Sequence, residues 1–333
     1  MNGLIHDKTR LRELQALPLN RKILITQARI IEWYNRYQGK VYVSFSGGKD
    51  STVLLTIARQ CFPDIEAVFV DTGLEYPEIR QFVKTFDNVT IIRPKMRFDE
   101  VIKKHGYPLI SKEVSKKISE YRSKPDGYTH LVFNPDSEKI KRYGKRYDLS
   151  KWIPLRDSDI PVSDKCCNVM KKSTAKQFEK ESGKKCIVAT LAEESNLRQT
   201  EWLRSGCNAF DSKRPISKPL SFWTEQDILA YLHRYNIDIA PPYGEIVQTN
   251  EGKFETTLCD RTGCIFCAFG CHNKGDTRFV SLKTTHPRQY EYCMNGGEYD
   301  SAGKWIPNKE GLGMKKVFDE LNSLYGEDFI KYK

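Results

Sequence analysis

Apolar residues recur at helical spacing through residues 8–38, first at Leu11, Leu14 and Leu17, then at Ile23, Ile25, Ile30, Ile31 and Trp33. Pro18 interrupts them, and because proline lacks the amide that a helix interior needs, two helices are expected. Beyond residue 38, short apolar runs alternate with helical patterns. Val41–Phe45, Ala67–Val70 and Val89–Ile92 read as buried strands, while Thr52–Cys61, Pro77–Phe86 and Phe98–Lys104 read as the helices that follow them. That alternation predicts an α/β fold with a Rossmann-like, mostly parallel sheet covered by helices on both faces. Between Lys112 and about Lys151 the periodicity fades into lysine, arginine, tyrosine and proline, the pattern of a mobile basic insertion or lid. Regular structure resumes with a helix over Asn168–Glu181, a strand over Cys186–Leu191 and a helix over Glu225–Tyr235. From about Ile239 the chain turns cysteine-rich and only partly helical, closing on a helix over Met314–Tyr325. The expected divisions are N-terminal helices at 1–38, an α/β domain at 39–238 carrying the 112–151 insertion, and a cysteine-rich region at 239–333.

Composition narrows the class. No apolar run approaches the roughly 18 residues that span a bilayer, and the first residues lack the apolar core of a secretion signal. A cytoplasmic protein with no membrane partner is therefore expected. In a reducing compartment its ten cysteines point to metal or redox chemistry rather than structural disulfides. A net charge of +11 favours a polyanionic partner, either a nucleotide or a nucleic acid. Much of that excess falls at Lys116, Lys117, Lys139, Lys141, Arg142, Lys145 and Arg146, each of which alone would be an ordinary solvated side chain.

The chemistry begins where the first strand runs into Ser44-Phe-Ser46-Gly47-Gly48-Lys49-Asp50-Ser51 and then into a helix. A glycine turn between strand and helix presents backbone amides and a helix dipole to an anion. Ser46 and Ser51 add hydroxyls, and Lys49 adds a point charge. The second strand ends in Asp71-Thr72-Gly73. Ligands of open parallel sheets collect at strand carboxyl ends, so Asp71 and Thr72 are expected beside the 46–51 loop, Asp71 accepting from a ribose or an adenine amine. Pro77-Glu78 just beyond is helix-start chemistry. A third element, Glu193-Glu194-Ser195-Asn196-Leu197-Arg198, follows the Cys186–Leu191 strand and offers Arg198 as a phosphate fork.

Six cysteines form two groups: Cys166-Cys167, and Cys259-x4-Cys264-x2-Cys267-x3-Cys271. Four or more thiolates at this spacing suit zinc or an iron–sulfur cluster. The second group alone would close a zinc site; alternatively Cys166, Cys167, Cys264 and Cys267 would hold a [4Fe–4S] cluster. Cys61, Cys186 and Cys293 read as core residues.

The loop resembles the pyrophosphate loop of the adenine-nucleotide α-hydrolase superfamily. Ser46-Gly-Gly-Lys-Asp-Ser51, Asp71-Thr-Gly73, Cys166-Cys167, Glu194-Ser195-x2-Arg198 and Cys264-x2-Cys267 also stand in the order found in the phosphoadenylyl-sulfate/adenylyl-sulfate reductase family, over roughly residues 38–270. The resemblance implies a nucleotide site of Ser46, Gly47, Gly48, Lys49, Asp50, Ser51, Asp71, Thr72 and Arg198, with Lys49, Asp50 and Arg198 at the chemistry. It also implies a [4Fe–4S] cluster on Cys166, Cys167, Cys264 and Cys267, with Cys259 and Cys271 as extra candidates. Two departures shift the expected reaction. Family reductases carry a C-terminal Glu-Cys-Gly-Leu-His tail, whereas no cysteine follows Cys293 here; and Thr190-Leu191-Ala192 stands where the family favours Gly-x-Arg. The leading expectation is ATP-dependent sulfur transfer, with magnesium and a sulfur or thiol donor protein, to a nucleic-acid or similar acceptor. Reduction of adenylyl or phosphoadenylyl sulfate to sulfite, with Cys293 as the mobile thiol, is the alternative. A non-catalytic nucleotide- or nucleic-acid-binding module with a structural metal is the third.

Overall fold

A computed structural model describes residues 5–125 and 127–333. The chain divides into two compact units. The first comprises residues up to Asp71, Glu75–Arg93 and Thr174–Gly263. Helix α1 (Lys8–Gln15) and helix α2 (Leu19–Arg36) flank Pro18, which caps α2 as the sequence predicts. Strand β1 (Val41–Ser44), strand β2 (Ala67–Val70) and strand β3 (Val89–Ile92) are joined by helix α3 (Lys49–Cys61) and helix α4 (Pro77–Val83). The sheet runs β3, β2, β1, Lys185–Val188, Ile216–Ser217, Asn208–Ala209, and all pairs are parallel except the last.

Strand β1 therefore has the second strand on one side and the chain's return at Lys185–Val188 on the other. Such a reversal of strand order opens a crevice at the strand's carboxyl end, where open α/β sheets bind ligands. The core forms because α2 and α3 turn their apolar stripes inward: Ile30 and Trp33 from one, Val53, Leu54, Ile57 and Ala58 from the other, all fully buried. The strand expected over Cys186–Leu191 is Lys185–Val188. Its last pair is Val188 with Ser44, after which β1 leaves the sheet and takes the ladder partner away.

The second unit comprises Thr72–Leu74, Pro94–Ser173 and Cys264–Lys333. Lys112–Ser123 is a helix, not the irregular chain that fading periodicity predicts. Ser111 caps it, accepting from the Val114 amide, and Val114, Ser115 and Ile118 form a narrow buried stripe among lysines. The helix expected over Asn168–Glu181 begins in this unit as a π-helical turn at Asn168–Lys172 and becomes α-helical at Ser173–Ser182, where from Thr174 it belongs to the first unit. The last helix, Met314–Tyr325, buries Met314, Val317, Phe318 and Leu321. Among the described residues no helix is long and apolar enough to cross a membrane.

Tyr107 is the hub of this unit. Its amide donates to Pro161 O at 2.7 Å, its carbonyl accepts from Ser163 N at 2.9 Å, and its hydroxyl donates to Leu312 O at 2.7 Å. Gly106, at φ +107°, makes the approach possible, since a Cβ there would lie 2.6 Å from the Pro161 carbonyl carbon. Gly106→Ala is expected to cost about 1–3 kcal/mol from backbone strain alone, seen as an earlier urea transition of the full chain.

Candidate nucleotide cleft and cysteine site

The Ser46–Ser51 loop is shaped by hydrogen bonds among its own residues. The Ser46 amide donates to Ser51 Oγ at 3.1 Å, the two hydroxyl oxygens lie 3.0 Å apart, and Ser51 Oγ donates to Gly48 O at 2.9 Å. Gly47 takes φ +71°, and a Cβ there would lie 2.8 Å from Val83 and 2.9 Å from Ile79 of α4. Gly48 caps α3 in extended conformation without a side-chain bond to the first turn, leaving that helix end to backbone groups. Lys49 is 4% exposed, and its Nζ donates to Glu225 Oε1 and to the Asp260 carbonyl, both at 2.5 Å.

Ser46, Gly48, Lys49, Asp50 and Ser51 line a cleft of about 260 Å³, opposite Glu194, Tyr243 and Asp260–Thr262. Glu194, nearly buried, takes two guanidinium groups: Arg261 at 3.1 Å and Arg198, one helical turn on. Ser195 starts the Asn196–Ser205 helix by accepting from the Arg198 amide at 3.3 Å, which sets the Glu194–Arg198 spacing. Burial pushes the Asp50 carboxyl up, opposed by the charges of Lys49, Arg261 and Arg198. Burial likewise lowers the Arg198 guanidinium, with the charge of Arg261 adding to it.

The other sequence candidates fall elsewhere. Asp71 is buried and pairs with Arg80 at 2.9 Å and Arg93 at 3.3 Å; it is not among the residues lining the cleft. Thr72 belongs to the second unit, where its hydroxyl accepts from Leu74 N at 3.2 Å. Sequence reasoning missed Glu225, Tyr243, Asp260, Arg261 and Thr262. The Asp260–Thr262 stretch lies between Cys259 and Cys264, where closely spaced thiols signal a metal rather than the wall of a cleft. Tyr243, whose hydroxyl is 2.9 Å from Thr262 Oγ1, carries no motif at all.

In the second unit, Cys166, Cys167, Cys264 and Cys267 line one small cavity walled by Leu74, Phe98, Pro108 and Met170. Backbone bonds bring them there. The Cys267 amide donates to Cys264 O at 2.9 Å, Ile265 N to Leu74 O at 2.7 Å, and Ala268–Phe269 pairs in parallel with Leu109–Ile110. Lys165 N donates to Ser163 Oγ at 3.1 Å, tying the cysteine pair to the Tyr107 hub. The two adjacent thiols are pushed in opposite directions by their mutual hydrogen bond. Cys167 is held down to about 5 by the bond with Cys166 and by Lys112 and Lys171, while Cys166 is driven up by the same bond and by burial.

Cys271, buried, donates to Ala268 O at 3.0 Å, and Cys259, in the first unit, donates to Pro242 O at 3.0 Å. Cys186 and Cys293 are core residues as expected, whereas Cys61 is only half-buried at the end of α3. Among the described residues no group of three or more Cys, His, Asp or Glu stands close enough to hold a single metal ion.

Comparison with known proteins places the fold in a family. A family model described as the phosphoadenosine phosphosulfate reductase domain matches residues 40–270. The chain is 27% identical over 289 residues to the uncharacterized protein MJ0066 of Methanocaldococcus jannaschii, covering 84% of this chain and 46% of that protein. It is 37% identical over 87 residues to MJ0973 of the same organism, covering 24% of this chain and 21% of that protein. The chain thus spans less than half the length of these two relatives. It is 22% identical over 255 residues to an adenosine 5'-phosphosulfate reductase of Staphylococcus epidermidis, covering 75% of this chain and 79% of that enzyme. A crystal structure of phosphoadenylyl-sulfate reductase from Candida auris, in complex with phosphate, aligns at a TM-score of 0.36 and 14% identity over 70% of this chain and 89% of that one. Since the family match begins just before β1 and runs past the Cys264-x2-Cys267 turn, taking in most of the chain, this protein belongs to the phosphoadenosine phosphosulfate reductase domain family.

Proposed function

We propose that the chain is an adenine-nucleotide-activating enzyme that carries out ATP-dependent sulfur transfer. The observation that carries this reading is Lys49: a nearly buried ammonium at the uncapped start of α3, in a cleft at the sheet's switch point, with Arg261 on the cleft wall and Arg198 behind it, paired to the wall residue Glu194. Donors preorganised around a cleft stabilise charge that develops on a phosphoryl group. ATP enters as its magnesium complex, with its phosphates against the Ser46–Ser51 amides. An acceptor oxygen forms a bond to the α-phosphorus as the bond to the bridging oxygen breaks, and pyrophosphate leaves. Sulfur at the sulfide level, supplied by a donor protein, then displaces AMP from the acceptor with no net oxidation. Lys49 and Arg198 bear on the phosphate charge in the first step, Glu225 and the Asp260 carbonyl hold the Lys49 ammonium in place, and Asp50 lines the same cleft.

The donor set around the second unit's cavity, four thiols with that of Cys167 shifted towards the thiolate by Cys166, Lys112 and Lys171, fits a thiolate-bound group. Cys166, Cys167, Cys264 and Cys267, the four thiols that line the cavity, would hold a [4Fe–4S] cluster. When bound, such a cluster supplies electron-transfer or sulfide-binding capacity.

A second reading, reduction of a sulfated adenylate, is favoured by the reductase names among the relatives. It needs a mobile thiol, and Cys293 is poorly suited: it is fully buried, its Sγ is 3.3 Å from Met314 Sδ, and burial pushes its thiol far up. The test is anaerobic incubation of the full chain with ATP, sulfide as the sulfur source and short nucleic-acid acceptors, following AMP and pyrophosphate, with iron and zinc analysis alongside. Equal yields of AMP and pyrophosphate, unchanged in Cys293→Ser, are expected. Sulfite released from adenylyl sulfate and lost in Cys293→Ser would replace this reading with the second.

A further inference from the structure

Residues 127–147 of the second unit set aromatic rings and cations side by side on one surface. Tyr128 opens a 3-10 turn and Tyr143 closes the short helix Glu138–Tyr143; they are 64% and 51% exposed. Lys139 Nζ lies 4.2 Å from the Tyr128 ring centre and 5.8 Å from that of Tyr147. The Arg146 guanidinium is 4.7 Å from the Tyr147 ring, and that of Arg142 is 5.3 Å from the Tyr143 ring. Tyr143 and Tyr147 meet edge to face with centres 6.0 Å apart. The stretch carries five basic side chains and two acidic ones.

The segment is anchored from below. Val132, Phe133, Ile140 and Leu149 are buried, and the Leu149 amide donates to Val132 O at 2.7 Å. The cation–tyrosine array is thus held on a folded platform.

Lysines alone would make a solvated face. Exposed tyrosines interleaved with cations do more: each ring is a stacking surface, and Lys139, Arg142 and Arg146 each sit within a few ångströms of one. An acidic peptide would satisfy the charges and leave the rings idle. A nucleic-acid duplex would meet the charges too, but it hides its base faces in its own stack. A single strand offers both bare π-faces and a phosphate chain.

We propose that this surface binds single-stranded nucleic acid, with bases stacked on Tyr128 and Tyr143 and phosphates held by Lys141, Arg142, Lys145 and Arg146. The inference deepens the proposed sulfur transfer by naming the class of its acceptor, and rests on that reading for its chemical purpose only.

The test is fluorescence anisotropy of the full chain with a fluorescein-labelled single-stranded 12-nucleotide RNA, the matching DNA and a duplex, across a salt series. Tyr128→Leu with Tyr143→Leu is expected to weaken single-strand binding by about tenfold while leaving the melting temperature in place. Arg142→Gln with Arg146→Gln should flatten the slope of log affinity against log salt by about 1.4, two phosphate contacts' worth. RNA binding tighter than DNA would point to 2′-hydroxyl contacts, equal binding to backbone and stacking alone; either supports the proposal. Duplex bound as tightly as single strand, leucine variants that bind like the parent chain, or no binding would overturn it. Oligonucleotide binding that persists without ATP turnover would overturn the proposed activity and leave this surface standing.

Discussion

Lys49→Met is expected to lower ATP turnover by about two to three orders of magnitude, the usual loss when one preorganised donor is taken from a developing oxyanion. Methionine keeps the apolar stem and removes the charge. That charge sits at the amino end of α3, where the helix dipole adds to it, and at 4% exposure little water competes for it. The fold should tolerate the change. Glu225, the lost ion-pair partner, is 38% exposed in its side chain and rehydrates; the Asp260 carbonyl loses one donor, a cost of about 1–3 kcal/mol. Initial rates of pyrophosphate release, with thermal melting as control, check this. Glu225→Gln separates the contributions. If Lys49 serves phosphate, freeing it from Glu225 should preserve turnover. A Glu225→Gln enzyme as inactive as Lys49→Met would mean that the pair is structural.

The largest expected loss of stability belongs to Lys22→Met, about 3 kcal/mol. Lys22 is 1% exposed inside the first unit, and its Nζ donates to Asp227 Oδ2 at 2.5 Å and to Gln15 O at 2.6 Å. Removing one member of a buried pair strands the other, which typically costs about 3–5 kcal/mol. The lower end applies because Asp227 Oδ2 also accepts from Thr224 N at 2.7 Å and from its hydroxyl at 2.8 Å. The first of those bonds, with Asp227 N donating to Thr224 Oγ1, makes the capping box that starts the Glu225–Arg234 helix. Loss of Lys22 therefore also loosens the backbone that presents Glu225 to Lys49. Urea unfolding measures the loss, and Lys22→Met with Asp227→Asn should recover part of it. A single-variant loss below about 1 kcal/mol would mean that the pair is solvated.

The sheet was legible because β1, β2 and β3 are local apolar runs, each followed by an amphipathic helix, and periodicity records that much. Lys112–Ser123 was not, because its buried stripe is only Val114, Ser115 and Ile118, too thin to show among charged neighbours. The same divide runs through the site. Ser46–Ser51 is contiguous and announces itself as strand, glycine pair and helix. Lys49's partners Glu225 and Asp260 lie 176 and 211 residues away in sequence, brought in by tertiary packing that no local pattern encodes. Asp71 illustrates a subtler loss. Its position at the end of β2 was readable, but not its capture by Arg80 and Arg93, which depends on where α4 and β3 come to rest.

Gly47 leaves no gap between the Ser46–Ser51 loop and α4, since even one added carbon would strike Val83 and Ile79. Contact that tight turns the helix into a strut: the loop cannot recoil without dragging α4 along. Arg80 rides on that helix and grips Asp71, so any recoil is felt at the tip of β2 as well. Whatever enters the crevice pushes against a braced wall.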